Sequence, residues 1–342
     1  MFTSPHLRTI PTIFSSEDRA RLKSAVMLRP HQVTILYENL LSRYGDFPYL
    51  LVRLAQLRAA MGSPVLSAAL FSKAYEALDK IGVHDAELDY YMTTFVPDTF
   101  SKYEKLFESS LKVQYHQSWK QTEEHNFPRQ IHAPPSGYEQ VKEEWSSLVK
   151  DNSEFLAKYL RHVAVETNII EDTFLLTTEC LHNIIRDGVS PAIIVTEYDS
   201  ETHDRDIIKS ILNDTLEAYE AMLLLARTPV NLTRRTICHI HSLLMKTCQF
   251  HNFDGRYVPP GRTRTETMQT VIVGSSRPIQ CCPYAKVDDE LDAICRISED
   301  GNGRLSRIMA SIPLIQAGYP PIAISMIRRP MYYQAINEVK IP

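Results

Sequence analysis

At 342 residues the chain is longer than one small module and suits two domains, or one domain with a helical extension. With 44% hydrophobic and 23% charged residues and only 11 glycines it has the composition of a soluble globular protein that favours helices over turn-rich β architecture. A net charge of -4 argues against a nucleic-acid partner held by a broad basic surface, and no run of about twenty apolar residues exists to span a membrane.

The first sixteen residues, MFTSPHLRTIPTIFSS, carry no acid and read as a disordered arm, with an organelle-targeting role left open. From 17 to about 111 apolar residues recur at three- and four-residue steps, predicting several helices broken at Pro30, Pro48 and Pro64. The alanine-rich LSAALFSKAYEAL has the flavour of a tetratricopeptide unit, but no repeat of about 34 residues runs through the region. It is therefore a helical extension, 1–111, with a partner-binding repeat as the alternative. Residues 112–138 are polar and proline-broken and predict a linker.

Helical patterns resume over EQVKEEWSSLVKDNSEFLAKYLRHV and again after Asp204. Six cysteines at irregular spacing fit no disulfide framework and argue for a reducing compartment, cytoplasmic or nuclear. Cys238, His239, His241, Cys248 and His251 lie close together but match no common zinc spacing. The simpler reading is a helix from about 232 to 248 that buries Ile237, Ile240, Leu244 and Cys248. Near 269–273 a short alternating segment bounded by glycine and proline predicts a strand of a small hairpin.

The stretch SEDGNGRLSRIMASIPLIQAGYPP holds the most chemistry. Gly301 and Gly303 accept positive φ and Asn302 tolerates it, so successive amides can turn inward as an anion-binding nest. A helix follows at once, with Leu305, Ile308, Met309, Ile312 and Ile315 on one face, which sets the nest on the positive end of a helix dipole. Arg304 and Arg307, one turn apart, can close on the same anion. Asp300 repels a bare phosphate and suits a magnesium-bound one, as in a nucleoside di- or triphosphate. A plain turn with an acidic N-cap and solvated arginines is the alternative.

The order of Asp300, Gly301, Asn302, Gly303, Arg304 and Arg307 resembles the signature of the Fic (Fido) family, H-x-F-x-[DE]-G-N-G-R-x-x-R, and the resemblance covers roughly residues 160 to 342. PGRTRTETMQTVIVG looks like the family's β-hairpin flap, which aligns a target segment by strand addition, here through Thr270, Val271 and Ile272. MYYQAINEV looks like the helix that follows the family core. Thr167 and Glu171 are similar to the family's inhibitory motif, [ST]-x-x-x-E, on a helix near 160–175. There the glutamate pairs with the second loop arginine, here Arg307, and blocks the γ-phosphate seat. Asp172 stands where the family has glycine or asparagine.

The resemblance implies a mainly α fold: a Fic-type helical core with a small hairpin flap over 139–342, joined to the N-terminal helical extension. It also implies ATP with Mg2+ as the nucleotide, held by Asp300 on the metal, Gly301, Asn302 and Gly303 on the phosphates, and Arg304 and Arg307 on the distal charge. The implied reaction moves AMP to a Ser, Thr or Tyr hydroxyl of an unknown protein substrate. Two positions of the signature depart from the family: Arg296 stands where the histidine belongs, and Ser298 where phenylalanine does. Arginine has no lone pair to take the hydroxyl proton, and general base catalysis is worth about 10²- to 10⁴-fold in rate. The expectation is therefore an impaired transferase, an inactive nucleotide binder or scaffold, or a shortened form of an active enzyme that lacks the helix ending in the histidine.

Overall fold

The computed structural model describes residues 2–121, 136–150, 152–227, 232–249, 257–273, 278–297 and 303–338. Over these residues the protein is mainly α. In chain order the helices are α1 (Pro5–Arg8), α2 (Ser16–Ser24), α3 (Pro30–Tyr44), α4 (Pro48–Ala60), α5 (Pro64–Asp79), α6 (Ala86–Tyr90), α7 (Val96–Leu111), α8 (Tyr138–Val149), α9 (Ser153–Ile170), α10 (Thr178–Asp187), α11 (Arg205–Arg227), α12 (Arg234–Leu244), α13 (Arg264–Thr267), α14 (Val287–Ile297), α15 (Gly303–Gln316) and α16 (Arg329–Glu338). Two strands, β1 (Ile272–Val273) and β2 (Ile279–Gln280), pair antiparallel between α13 and α14.

The chain divides into two compact units, both discontinuous: residues 1–121 with 262–288, and residues 122–261 with 289–342. In the first, Pro30, Pro48 and Pro64 each open a helix at the first position. Proline costs least there, since the N–H it lacks would have no intrahelical partner. Helix α4 buries Tyr49, Leu50, Leu51, Val52, Leu54 and Ala55, more than one face, so it lies between two apolar clusters. Leu51, Val52 and Ala55 pack with Phe2, Leu7, Ala68, Phe71 and Leu78, while Tyr49, Leu50 and Leu54 pack with Phe14, Leu22, Leu36 and Leu40.

The start of the chain is therefore ordered, against the disordered arm that its composition suggests. Phe2, Leu7 and Phe14 are buried, and the N–H groups of Thr3 and Ser4 donate to Asp85 Oδ2 at 2.7 and 2.6 Å. Residues 112–121 are not free linker either. The N–H of His116 donates to Pro278 O at 2.9 Å and that of Gln280 to Gln117 O at 2.9 Å, so this stretch runs beside the hairpin. Residues 122–135, the rest of the expected linker, lie outside the described residues.

In the second unit α11 is the central element and packs against α9, α12 and α15. Its buried residues Ile208, Ile211, Leu212, Ala218, Tyr219 and Met222 recur at helical spacing and feed two clusters. One joins Leu160, Val163, Ile237, Ile240, Leu305, Ile308, Met309 and Ile312; the other joins Val165, Ile169, Phe174, Cys180, Ile184 and Ile194. Each such aliphatic side chain contributes about 1.5–3 kcal/mol by leaving water. Together they fix the N-terminal turn of α15 against the C-terminal turns of α9.

Candidate anion seat at the start of α15

Helix α9 ends on a left-handed turn. Asp172 has φ +52°, its N–H donates to Ile169 O at 3.0 Å, and the N–H of Thr173 donates to Asn168 O at 3.0 Å. This is a Schellman closure with an aspartate in the position glycine usually takes. Aspartate enters this region more readily than most residues. Asp172 therefore closes the end of α9 in a conformation that glycine or asparagine adopts at less cost.

The turn presents its last residues to the two arginines of α15. Arg307 is 4% exposed, and its guanidinium is taken up on all sides. Nε donates to Thr167 Oγ1 at 2.9 Å, Nη2 to Thr167 O at 3.1 Å, and Nη1 to the Tyr332 hydroxyl at 3.2 Å. Nη2 also pairs with Glu171 Oε1 at 3.0 Å, and the guanidinium lies 5.7 Å from the centre of the Tyr332 ring. Arg304 donates from Nη1 to Asn168 Oδ1 at 3.0 Å and from Nη2 to Met245 Sδ at 3.2 Å, the latter a weak acceptor. Asn168 is fully buried and places its amide nitrogen 2.8 Å from Ala164 O and 2.9 Å from Thr215 Oγ1. The two arginines grip neighbouring residues of α9 instead of closing on one point. Both remain at the start of α15, where the helix dipole favours negative charge.

Three titratable groups nearby have displaced protonation. Burial drives the Asp214 carboxyl up to about 6, although it accepts the Thr247 N–H at 2.8 Å. Burial, reinforced by the Arg304 charge, drives His241 down to about 4. Its Nδ1 accepts the Gly261 N–H at 3.0 Å, which requires that nitrogen to be unprotonated. Burial raises the Cys248 thiol as well. Cys248 lies beyond α12, which stops at Leu244, so the expected helix is shorter than 232–248. His251 lies outside the described residues.

Of the residues assigned to the nucleotide, Gly303 opens α15, while Asp300, Gly301 and Asn302 lie outside the described residues. Arg296 falls in the last turn of α14. Thr270 and Val271 precede β1 and Ile272 begins it, with the Cys281 N–H donating to Val271 O at 3.2 Å, so the extended segment is shorter than 269–273. The hairpin clusters with the first unit. Among the described residues no group of three or more His, Cys, Asp and Glu side chains could hold a metal ion. The donors gathered here, two guanidinium groups on a helix start, suit an anion.

Sequence reasoning did not find Asn168, Tyr332, Met245 or the partner of Asp172, because each contact joins residues far apart in the chain and none is set by local spacing. The nearest signal was the arginine and tyrosine content of RRPMYYQ, which α16 carries.

No family model matches the chain, and no curated protein matches it. Among solved structures it is similar to a fragment of Fic-1 from C. elegans, residues 134–508, at 14% identity and a TM-score of 0.37, over 96% of this chain and 92% of that one. A singly substituted form of the same fragment matches at 14% identity and a TM-score of 0.36, over 97% and 92%. Overlap this loose leaves the function to be read from the residues themselves.

Proposed function

We propose that the chain is a Fic-like nucleotide-binding protein whose polyphosphate seat, the loop 300–303 with Arg304 and Arg307, is held shut by Glu171. The observation that carries this reading is the Glu171–Arg307 pair at 3.0 Å on a guanidinium that is 4% exposed. A carboxylate and a phosphate compete for one guanidinium fork, so a nucleotide gains Arg307 only when Glu171 leaves it. In this reading Asp300 would hold magnesium, which would supply positive charge to offset that of the phosphates.

Transfer to a protein substrate requires a target hydroxyl to lose its proton as it attacks the α-phosphorus of ATP, with pyrophosphate leaving. Arg296, at the position of the expected base, cannot take that proton. We therefore assign nucleotide binding with strongly reduced AMP transfer, in a cytoplasmic or nuclear setting, and an unidentified protein partner aligned by Thr270, Val271 and Ile272.

Calorimetry with ATP and Mg2+ tests the assignment. Glu171→Gly is expected to bind at least about tenfold more tightly than the unsubstituted chain, and Arg307→Ala added to it should abolish the gain. Absence of binding in Glu171→Gly would overturn the reading. With labelled ATP, transfer to the chain itself or to lysate proteins should stay near background.

A second reading, a shortened form of an active enzyme, is favoured by one observation: α14 runs to Ile297 and α15 begins at Gly303, leaving no room between them for a further helix. Sequencing transcripts across the codons for 295–298 decides it. An insert encoding His-Pro-Phe ahead of Glu299 supports this reading, and a uniform transcript without one removes it.

A further inference from the structure

A second set of contacts surrounds the seat and has no counterpart in the loop or the inhibitory motif. It lies on the segment 325–334. Before α16, the Met326 N–H donates to Glu166 Oε2 at 2.8 Å, and Glu166 is buried. On α16, Arg329 forks onto Asp172: Nη1 donates to Oδ1 at 2.7 Å and Nη2 reaches Oδ2. The Tyr333 hydroxyl donates to Ile170 O at 3.1 Å, and its ring lies 5.5 Å from the Arg329 guanidinium. Tyr332, one residue earlier, holds Arg307 itself. The last turn of α9 is thus bound from Glu166 to Asp172 by one short stretch of chain, and Glu171 lies inside that span.

Asp172 is the hinge of the arrangement. Its positive φ costs an ordinary side chain free energy that glycine would not spend, and the forked pair with Arg329 offsets that cost. A single-point surface ion pair is worth little, but a two-pronged arginine–carboxylate fork with one partner shielded is the favourable case. The Arg329 side chain is 22% exposed. Hydrogen bonding to Asp172 raises the affinity of that guanidinium for its proton.

We infer that Arg329 is a positioning residue for the anion seat: through Asp172 it sets the turn that aims Glu171 at Arg307, and α16 acts as a latch on the closed state. The inference rests on the proposed closure by Glu171, and the experiment separates the two. Arg329→Gln and Asp172→Asn break the fork from opposite sides, the second keeping a residue that tolerates positive φ. Each is expected to speed hydrogen exchange at the amides of Asp172 and Thr173, and to tighten ATP–Mg2+ binding by about fivefold or more, less than Glu171→Gly does. The pair Arg329→Gln with Asp172→Asn should add little to either alone.

If Glu171→Gly tightens binding while Arg329→Gln and Asp172→Asn change neither exchange nor affinity, the latch is overturned and the closure stands. If no variant binds ATP, the proposed function falls. Unchanged exchange at Asp172 and Thr173 then removes the latch as well, whereas faster exchange leaves it as a latch on the turn alone.

Discussion

At the scale of single residues the second unit carries two titrations of opposite sign. An acid with a folded pKa raised to about 6 binds its proton more tightly when folded, so Asp214 adds stability as pH falls from 6 towards 4. A histidine lowered to about 4 is held neutral in the fold, so His241 removes stability as pH falls from 6.5 towards 4. The displacements are similar in size, and they largely cancel over the same window. We expect a nearly flat melting temperature between pH 4 and 6.5 for the unsubstituted chain. Asp214→Asn should melt higher at pH 7.5 and lose stability on acidification, while His241→Gln should gain stability on acidification. Melting curves across that range check it, and parallel curves for all three would contradict it. The pairing of Glu171 with Arg307, implied by the resemblance of two short motifs, is present at this scale. The fork from Arg329 to Asp172 was illegible, since nothing in the spacing of either segment points to the other.

Elements were the most legible level. Pro30, Pro48 and Pro64 mark helix starts because proline lacks an N–H and fixes φ, both local properties. The three- and four-residue apolar steps of α11 and α15 report a single buried face. The strand was overextended and the 232–248 helix overrun because pairing and termination depend on partners beyond the window. Helix α12 instead shows its limits through contacts. Thr233 and Thr236 close a capping box at its start, and Gly261 packs on its flank with φ +67°. A Cβ on Gly261 would meet Ser242 Cβ at 2.8 Å and Cys238 O at 3.0 Å. Gly261→Ala is therefore expected to destabilise by about 2 kcal/mol, from strain and from pushing α12 away, with His241 losing its backbone donor. Denaturant titration measures it, and a change below about 0.5 kcal/mol would show that the loop yields instead.

For the whole molecule the largest misreading concerned the chain start. Residues 2–14 show no helical periodicity, so composition suggested disorder, yet Phe2, Leu7 and Phe14 complete cores whose other walls are on α3, α4 and α5. What holds them is Asp85, which takes the N–H groups of Thr3 and Ser4 together with those of Glu87 and Leu88. Burial would raise this carboxyl, but the hydrogen bonds outweigh it and hold it below the usual aspartate value. Its contribution is therefore present above about pH 4 and is lost as pH falls through the lowered value. Asp85→Ala should cost about 2 kcal/mol or more, since it leaves buried N–H groups unpaired, and should expose the first fifteen residues to limited proteolysis. Resistance equal to that of the unsubstituted chain would contradict this.

The interleaving of the two units also sets an order of assembly on the ribosome. The first unit includes residues 262–288, which emerge about 140 to 170 residues after residue 121. At bacterial to eukaryotic synthesis rates of about 5–20 residues per second, the delay is of the order of ten to thirty seconds. Throughout it the nascent helices of the first unit wait without their hairpin, and the second unit, which ends last, waits in turn for α15 and α16. The apolar clusters of the first unit lie within residues 2–100 and can close during that delay, whereas the second unit's cluster that Leu305, Ile308, Met309 and Ile312 complete must wait for α15.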